Sequence, residues 1–325
     1  MKLIWAAPLA AAAVAGLTKH RQVGRARPEL RVPAAYTPNP LTDRGLPLMK
    51  AALARLPHTE DTGRTQVSVP SPDGPVPAFT YTPTSGEPHG ALLWIHGGGR
   101  VLGSAAQDHD LCQMFADHAG VFVLSVDHRL APEHPYPAPL DDCHAALTWL
   151  VERRGTDGPI VVGGASAGGG LAAELAQRAH DEGLQVDFQL LLYPMLDDRT
   201  LSHGPHDRGR LVWTPGANRV GWSAYLGHPA GQDEQRPYAV GARRDDLTGL
   251  PPAWIGVGDL DLFYDEDVDY ARRLEAAGVA VELHVEEGMY HGADALPGAS
   301  TTPAMVALRR RMAEALGVAT ARISS

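Results

Sequence analysis

The chain has 325 residues, 44% of them hydrophobic, enough apolar content to bury one large core and to make disorder an unlikely ground state to consider. Its 28 Lys and Arg against 38 Asp and Glu leave a formal charge of −10, which repels phosphate backbones and argues against a nucleic-acid partner. Lysine stands only at Lys2, Lys19 and Lys50, leaving almost nowhere for a G-K-[ST] phosphate loop, a Schiff-base lysine or a Ser-Lys dyad; Cys112 and Cys143 are too few for a disulfide framework or a four-thiolate zinc site, although one bridge remains open.

In chain order, residues 3–17 are apolar and Ala-rich, flanked by Lys2 and Lys19 and interrupted by Pro8. The run is shorter than the about 20 residues that cross a bilayer, so no stable membrane span is expected. One reading is a signal peptide with its A-x-A at Ala13 and Ala15, implying export after loss of residues 1–15. The preferred reading is an amphipathic or buried helix packed on the rest of a cytoplasmic protein. Beyond a Pro-interrupted region through Pro57, short β-rich runs alternate with longer helical ones, the pattern of a parallel sheet.

Strands are predicted over 66–69, 76–81, 91–95, 121–126, 160–163, 188–192, 253–257 and 281–285. Helices are predicted over 107–119, 140–153, 169–181, 218–226, 265–277 and 303–316. Most of the strand runs are continuously apolar, as strands covered on both faces require. Ser71-Pro72-Asp73-Gly74 joins the first two strands as an antiparallel hairpin, and the later strands form the parallel part. Residues 197–215 lack periodicity and are too long for an ordinary connection, which predicts a lid or cap insertion above the carboxyl ends of the strands, where ligands bind in such sheets.

Gly164-Ala165-Ser166-Ala167-Gly168 follows the apolar run Ile160-Val161-Val162 and precedes a predicted helix. That is the strand-turn-helix setting of a G-x-S-x-G nucleophile elbow, where the turn is so tight that a side chain two places from the serine would clash. A Gly-rich phosphate loop is the competing reading, and it lacks both a lysine and a G-x-G-x-x-G register. Upstream, His96-Gly97-Gly98-Gly99 follows the third strand, and its glycines let backbone N–H groups approach a reacting carbonyl as an oxyanion hole.

A serine hydroxyl needs a base, and the base needs a carboxylate; in this kind of sheet they follow in the order Ser, acid, His. Asp259 and Asp261 after the seventh strand compete for the acid, and spacing leaves both open. His291 in Tyr290-His291-Gly292, after the eighth strand, is favoured as base over His284, which lies inside that strand. His203-x-x-His206-Asp207 is a weak metal-ligand pattern read as surface loop, and no metal is expected. Asp108 reads as a helix start, Asp141 and Asp142 as an acidic first helical turn, and His96 as a residue ordering its own loop.

With His96-Gly97-Gly98-Gly99, Asp127-His128-Arg129-Leu130-Ala131-Pro132-Glu133, Gly164-Ala165-Ser166-Ala167-Gly168-Gly169, Asp261-Leu262-Phe263-Tyr264-Asp265-Glu266 and Tyr290-His291-Gly292 in this order, the sequence resembles the hormone-sensitive-lipase-like esterases of the α/β-hydrolase superfamily from about residue 30 onward. The resemblance implies an α/β-hydrolase fold with a mostly parallel eight-stranded sheet and a helical cap. Residues 1–60 would contribute to the cap, and residues 61–325 would form the catalytic domain with a cap insertion at about 197–217. It places the acid at Asp261 and the oxyanion donors at the amides of Gly98, Gly99 and Ala167.

Ala165, His128, Arg100 and Ala293 stand where the family usually has aspartate, tyrosine, an apolar residue and phenylalanine. Arg100 is expected near the pocket mouth, with an acidic or polar substrate as one implication and a plain surface arginine as the other. Trp213 is expected to line the acyl or alcohol pocket, or to pack in the core. The implied activity is hydrolysis of small to medium carboxylic esters through Ser166, His291 and Asp261, with a small-molecule ester as partner and no cofactor. An amide hydrolase with the same residues, and a non-catalytic ligand receptor on the same fold, are the alternatives.

Overall fold

The computed structural model describes residues 20–37, 39, 41–53, 65–154 and 158–323. The apolar run at 3–17, on which the leader and packed-helix readings rest, lies outside the described residues. Among the described residues no helix is long and apolar enough to cross a membrane.

Eight strands form one sheet: β1 (Thr65–Val69), β2 (Val76–Tyr81), β3 (Ala91–Ile95), β4 (Phe122–Val126), β5 (Ile160–Ala165), β6 (Phe188–Leu192), β7 (Ala253–Gly258) and β8 (Val281–Glu286). Their order across the sheet is β1-β2-β4-β3-β5-β6-β7-β8. The predicted hairpin is present: β1 pairs antiparallel with β2, closed by a hydrogen bond from Gly74 N to Ser71 O, and β2 pairs antiparallel with β4. From β4 to β8 every pairing is parallel.

The apolar runs sit where burial is complete. All five residues of Ala91–Ile95 are buried at the centre, while the edge strands β1 and β8 each have a single buried residue. Alternation along a strand then feeds two separate cores. Leu93, Ile95, Leu124 and Val162 face one of them, and Leu92, Trp94, Val123 and Val161 face the other.

The helices are α1 (Leu46–Leu53), α2 (His109–Ala119), α3 (Ala138–Arg154), α4 (Ala167–Glu182), α5 (Pro215–Leu226), α6 (Tyr264–Ala276) and α7 (Pro303–Ile323). The sequence predicts the last six within a few residues, except that α7 runs seven residues past the predicted end at 316. It misses α1, whose Pro47 is tolerated because the first turn has no use for that N–H.

Strand order and the right-handed rule together decide which face each helix covers. The chain leaves β3 toward β4 in one direction, placing α2 in the core that contains Trp94 and Met305. It then returns past β3 to β5 and keeps going, so α3, α4 and α6 contribute to the opposite core. Outgoing connections from β3 and β5 therefore diverge, and a crevice opens between the carboxyl ends of these neighbours. His96 and Ser166 are carried into that crevice.

Between β6 and β7 the chain makes a long excursion, wider than the insertion expected at about 197–217, which holds α5 and a short 3-10 turn at Gly241–Arg243. The N-terminal segment reaches it directly. Asn39 Nδ2 donates to Val212 O at 2.6 Å, and Arg219 pairs with Asp43 at 3.0 Å. Farther back, Arg27 N donates to Gly288 O and Tyr290 Oη to Leu30 O, so residues 27–30 brace the loop that bears His291.

Candidate active site

Ser166 closes β5 in a strained turn, with φ 56° and ψ −120°, a region a non-glycine residue occupies only when its surroundings hold it there. Its N–H donates to Leu192 O on the next strand, and its carbonyl accepts from Gly170 N and Met195 N. The expected steric demand is visible at Gly168. A Cβ there would lie 2.0 Å from Ile95 O, so only glycine lets the turn come this close to the end of β3.

Three loops meet on this serine. Ser166 Oγ lies 2.9 Å from His291 Nε2, and His291 Nδ1 lies 2.8 Å from Asp261 Oδ2. Because a carboxylate can only accept, the ring must donate from Nδ1, which leaves Nε2 to accept the serine proton. Asp261 is fully buried, and its other oxygen accepts from Phe263 N at 3.0 Å. Ser166 is 7% exposed and His291 6%, so both open onto solvent through a narrow approach.

The two acids that spacing left open separate by contact. Asp259 Oδ1 accepts from Gly288 N at 2.7 Å and fixes the loop ahead of His291 without touching the ring. His284 stacks on Trp254 and pairs with Glu286, away from the serine.

The oxyanion loop leaves β3 with Gly98 at φ 129° and Gly99 at φ 64°. Among the described residues no acceptor takes the Gly98 or Gly99 amide. Ala167 opens α4, where the first N–H groups have no intrahelical acceptor. Behind the loop, His96 stacks on His128 with centroids 4.3 Å apart and planes 5° from parallel. Each ring donates from Nδ1 to a neighbouring carbonyl, Gly97 O and Arg129 O. Burial, and then the neighbouring His96, push His128 down to about 3, so this ring packs as a neutral plate at working pH.

Arg100 requires a correction. It neither stands at the pocket mouth nor lies on the surface, for its side chain is wholly buried. Its guanidinium makes two bonds to Glu174, at 2.9 and 2.7 Å, and lies against the rings of Trp222 and Tyr225 at 4.3 and 4.1 Å, in the corner the two tilted rings form. A neutralised cation facing into the fold has no charge to offer an acidic substrate. Sequence position placed it beside the oxyanion loop; the direction of its side chain depended on Glu174, which lies 74 residues away.

Trp213 is 8% exposed and lies across the oxyanion loop, its ring edge 2.2 Å from where a Cβ on Gly99 would sit. Its Nε1 donates to Asn218 Oδ1 at 3.2 Å, and its ring lies 6.1 Å from that of His291. The preceding Val212 is held at φ 58°, an outlying conformation for a β-branched residue, by the Asn39 bond to its carbonyl. His203 Nδ1 donates to Arg208 O, and Asp207 accepts from Gln22 and Arg210, so two members of the candidate metal pattern are engaged in protein contacts.

Several groups around His291 escaped the sequence reading. Tyr193 and Phe263 meet the imidazole edge-on at 4.6 and 5.0 Å. Tyr193 Oη donates to Asp294 Oδ1 at 2.6 Å, and nearby Trp94 Nε1 donates to Asp108 Oδ2 at 2.8 Å. The only sequence signal for Tyr193 is its place one residue past β6, at the ligand-binding edge. Asp108 precedes α2 as expected but makes no capping bond, its carboxyl turning inward instead.

Comparison with known proteins adds independent observations. A sequence profile described as the α/β-hydrolase fold matches residues 92–295. The carboxylic ester hydrolase LipN of Mycobacterium tuberculosis is 37% identical over 242 residues, 70% of this chain and 63% of that protein, just under two thirds of its length. Esterase LipI of the same organism is 36% identical over 272 residues, 79% of this chain and 85% of that one. Among solved structures, the esterase LipW from Mycobacterium marinum matches with a TM-score of 0.78 at 36% identity, over 91% of this chain and 96% of its own.

Burial pushes the Asp108 carboxyl up to about 7. An acid whose folded value is raised binds its proton more tightly when folded, so its contribution to stability is lost as pH rises from the unfolded value toward about 7. Asp108→Asn keeps an acceptor for Trp94 without the ionisation. Urea unfolding of both proteins at pH 4 and pH 8 should show the variant gaining on wild type at the higher pH, by up to about 4 kcal/mol. An unchanged difference between the two pH values would mean that Asp108 stays ionised in the fold.

Proposed function

The chain belongs to the hormone-sensitive-lipase-like branch of the α/β-hydrolase family, and on that premise we propose that it is a serine carboxylic ester hydrolase acting on small to medium acyl esters. The observation that carries the reading is the unbroken hydrogen-bonded line from Asp261 through His291 to Ser166, at 2.8 and 2.9 Å. A line of this kind makes an otherwise weak nucleophile reactive.

In the proposed cycle the Ser166 hydroxyl donates its proton to His291 Nε2 as Oγ attacks the ester carbonyl. Negative charge gathers on the carbonyl oxygen, where the amides of Gly98, Gly99 and Ala167 receive it; each such donor contributes on the order of 3 kcal/mol. The imidazolium, its Nδ1–H held by Asp261, then gives its proton to the departing alkoxide. Water, deprotonated by the same Nε2, attacks the acyl-serine, and the acid leaves as Ser166 recovers its proton. The cycle calls on no metal and no cofactor, and the partner it requires is a small-molecule ester.

Trp213 is the residue assigned to the size limit, because Asn218 pins its ring and the ring lies against Gly99 beside the oxyanion loop. A pocket boundary discriminates by about 1–3 kcal/mol per methylene group.

An acyl-length series of aryl esters, run with wild type, Ser166→Ala and Asp261→Asn, tests the assignment. Hydrolysis should vanish in Ser166→Ala, and turnover should fall about ten-thousandfold in Asp261→Asn. Equal activity in wild type and Ser166→Ala would remove the nucleophile, and faster turnover of a matched amide than of the ester would move the reading to an N-acyl hydrolase. In the same series Trp213→Ala should shift the preferred chain by several carbons, with kcat/KM for the longer esters rising about tenfold. An unmoved optimum would make Trp213 a packing residue.

A further inference from the structure

The donors assigned to the oxyanion come from two elements with no covalent connection near the site. Gly98 and Gly99 ride on the loop after β3, whereas Ala167 begins α4. Their spacing has to hold to a fraction of an ångström, because the stabilisation depends on donors aimed at a position the oxygen reaches only in the transition state. Beyond the pairing of β3 with β5, the side-chain link between the two elements is Arg100.

Arg100 follows Gly99 directly and has φ 66°, the third consecutive residue in a left-handed or related conformation. A non-glycine residue stays there only when its surroundings fix it. Four residues do so here. Glu174 accepts two bonds from the guanidinium, Met195 O accepts a third at 3.3 Å, and the rings of Trp222 and Tyr225 lie against it at 4.3 and 4.1 Å. The main chain is tied as well, since Arg100 O accepts from Ala131 N and Gly98 O accepts from Leu102 N.

Glu174 stands on α4, seven residues beyond Ala167 on the same rigid helix. Trp222 and Tyr225 belong to α5, which packs so closely that a Cβ on Gly221 would fall 2.6 Å from Gly99 O. Room for the guanidinium comes from Gly170, where a Cβ would lie 2.8 Å from Arg100 Nη2.

We propose that Arg100 is a positioning residue for the oxyanion donors: through Glu174 and the rings of Trp222 and Tyr225 it locks the loop carrying Gly98 and Gly99 onto the helix carrying Ala167. The inference rests on the esterase reading above. The planar fork, rather than the charge alone, is what the site uses, because a guanidinium bonds Glu174 bidentately while it packs against two aromatic rings. Glu174 is the passive partner: burial raises its carboxyl to about 7 even though the Arg100 cation draws it down.

The test compares wild type, Ser166→Ala, Arg100→Lys, Arg100→Met and the double variant Arg100→Met/Glu174→Gln on an aryl ester and on its thionoester. Sulfur accepts hydrogen bonds poorly, so the ratio of oxo-ester to thionoester rates reports the contribution of the donors. Arg100→Met leaves Glu174 buried without its cation and should lower the melting temperature; the double variant removes both charges and should recover much of it.

If Arg100 positions the donors, the double variant stays about 10- to 100-fold low in kcat with KM within about threefold, and its oxo-to-thiono ratio shrinks by a similar factor. Arg100→Lys should resemble it in kcat. A folded double variant with wild-type kcat, or equal losses on ester and thionoester, overturns the inference. Wild-type hydrolysis abolished in Ser166→Ala shows that the esterase reading stands whatever the Arg100 variants do. Absence of hydrolysis in wild type would instead strike that reading.

Discussion

Two backbones approach within contact distance at the carboxyl edge of the sheet, and the site follows from that approach. The end of β3 passes so near the β5 turn that Gly168 has no space for a Cβ against Ile95 O, and a Cβ on Gly97 would sit 3.0 Å from Ala165 O. Only this proximity brings a loop with unused amides beside a serine held at the head of a helix. The cost is paid in conformation, with Gly98, Gly99, Arg100 and Ser166 all at positive φ. Such strain lasts only where neighbours over-determine it. Here the neighbours are the parallel pairing of β3 with β5 and the side chain of Arg100.

The base is placed by different means. His291 lies on a loop beyond the edge strand β8, of whose six residues only Glu286 is buried. Support comes from outside the sheet: Asp259 fixes Gly288, Arg27 donates to the Gly288 carbonyl, and Tyr290 reaches back to Leu30. Tyr193 and Phe263 then confine the imidazole edge-on, while its two nitrogens face Ser166 and Asp261. Residues 27–30 thus bear on the site without facing it.

Much of this was legible in the chain itself, because the relevant signals are local. Apolar runs bounded by turns give the strands, and G-x-S-x-G and H-G-G-G declare the tight turns through their small residues. The misses share one physical cause, namely that they depend on partners distant in sequence. Arg100 faces inward because Glu174 and two rings of α5 receive it, and none of these is implied by its neighbours. Tyr193, Phe263 and Asp294 look like ordinary core and loop residues until the fold sets them around one imidazole. Helix α1 escaped notice because prolines break the pattern around it.

The acids from 259 to 267 carry the same point into electrostatics. Five carboxylates fall in nine residues, and composition alone gives none precedence. Asp259 is occupied by Gly288 N, Asp265 pairs with Arg208 at the surface, and Glu266 accepts from Leu196 N and Asp197 N. Asp267 has no partner for either oxygen among the described residues, and burial, followed by the charges of Glu266 and Asp261, pushes it well above the usual carboxylate range. Asp261 alone combines full burial, a backbone donor from Phe263 and a line to His291 Nδ1. The fold thereby selects one of five chemically similar groups to face the cation that forms during turnover, and it does so through hydrogen-bond donors rather than through residue type.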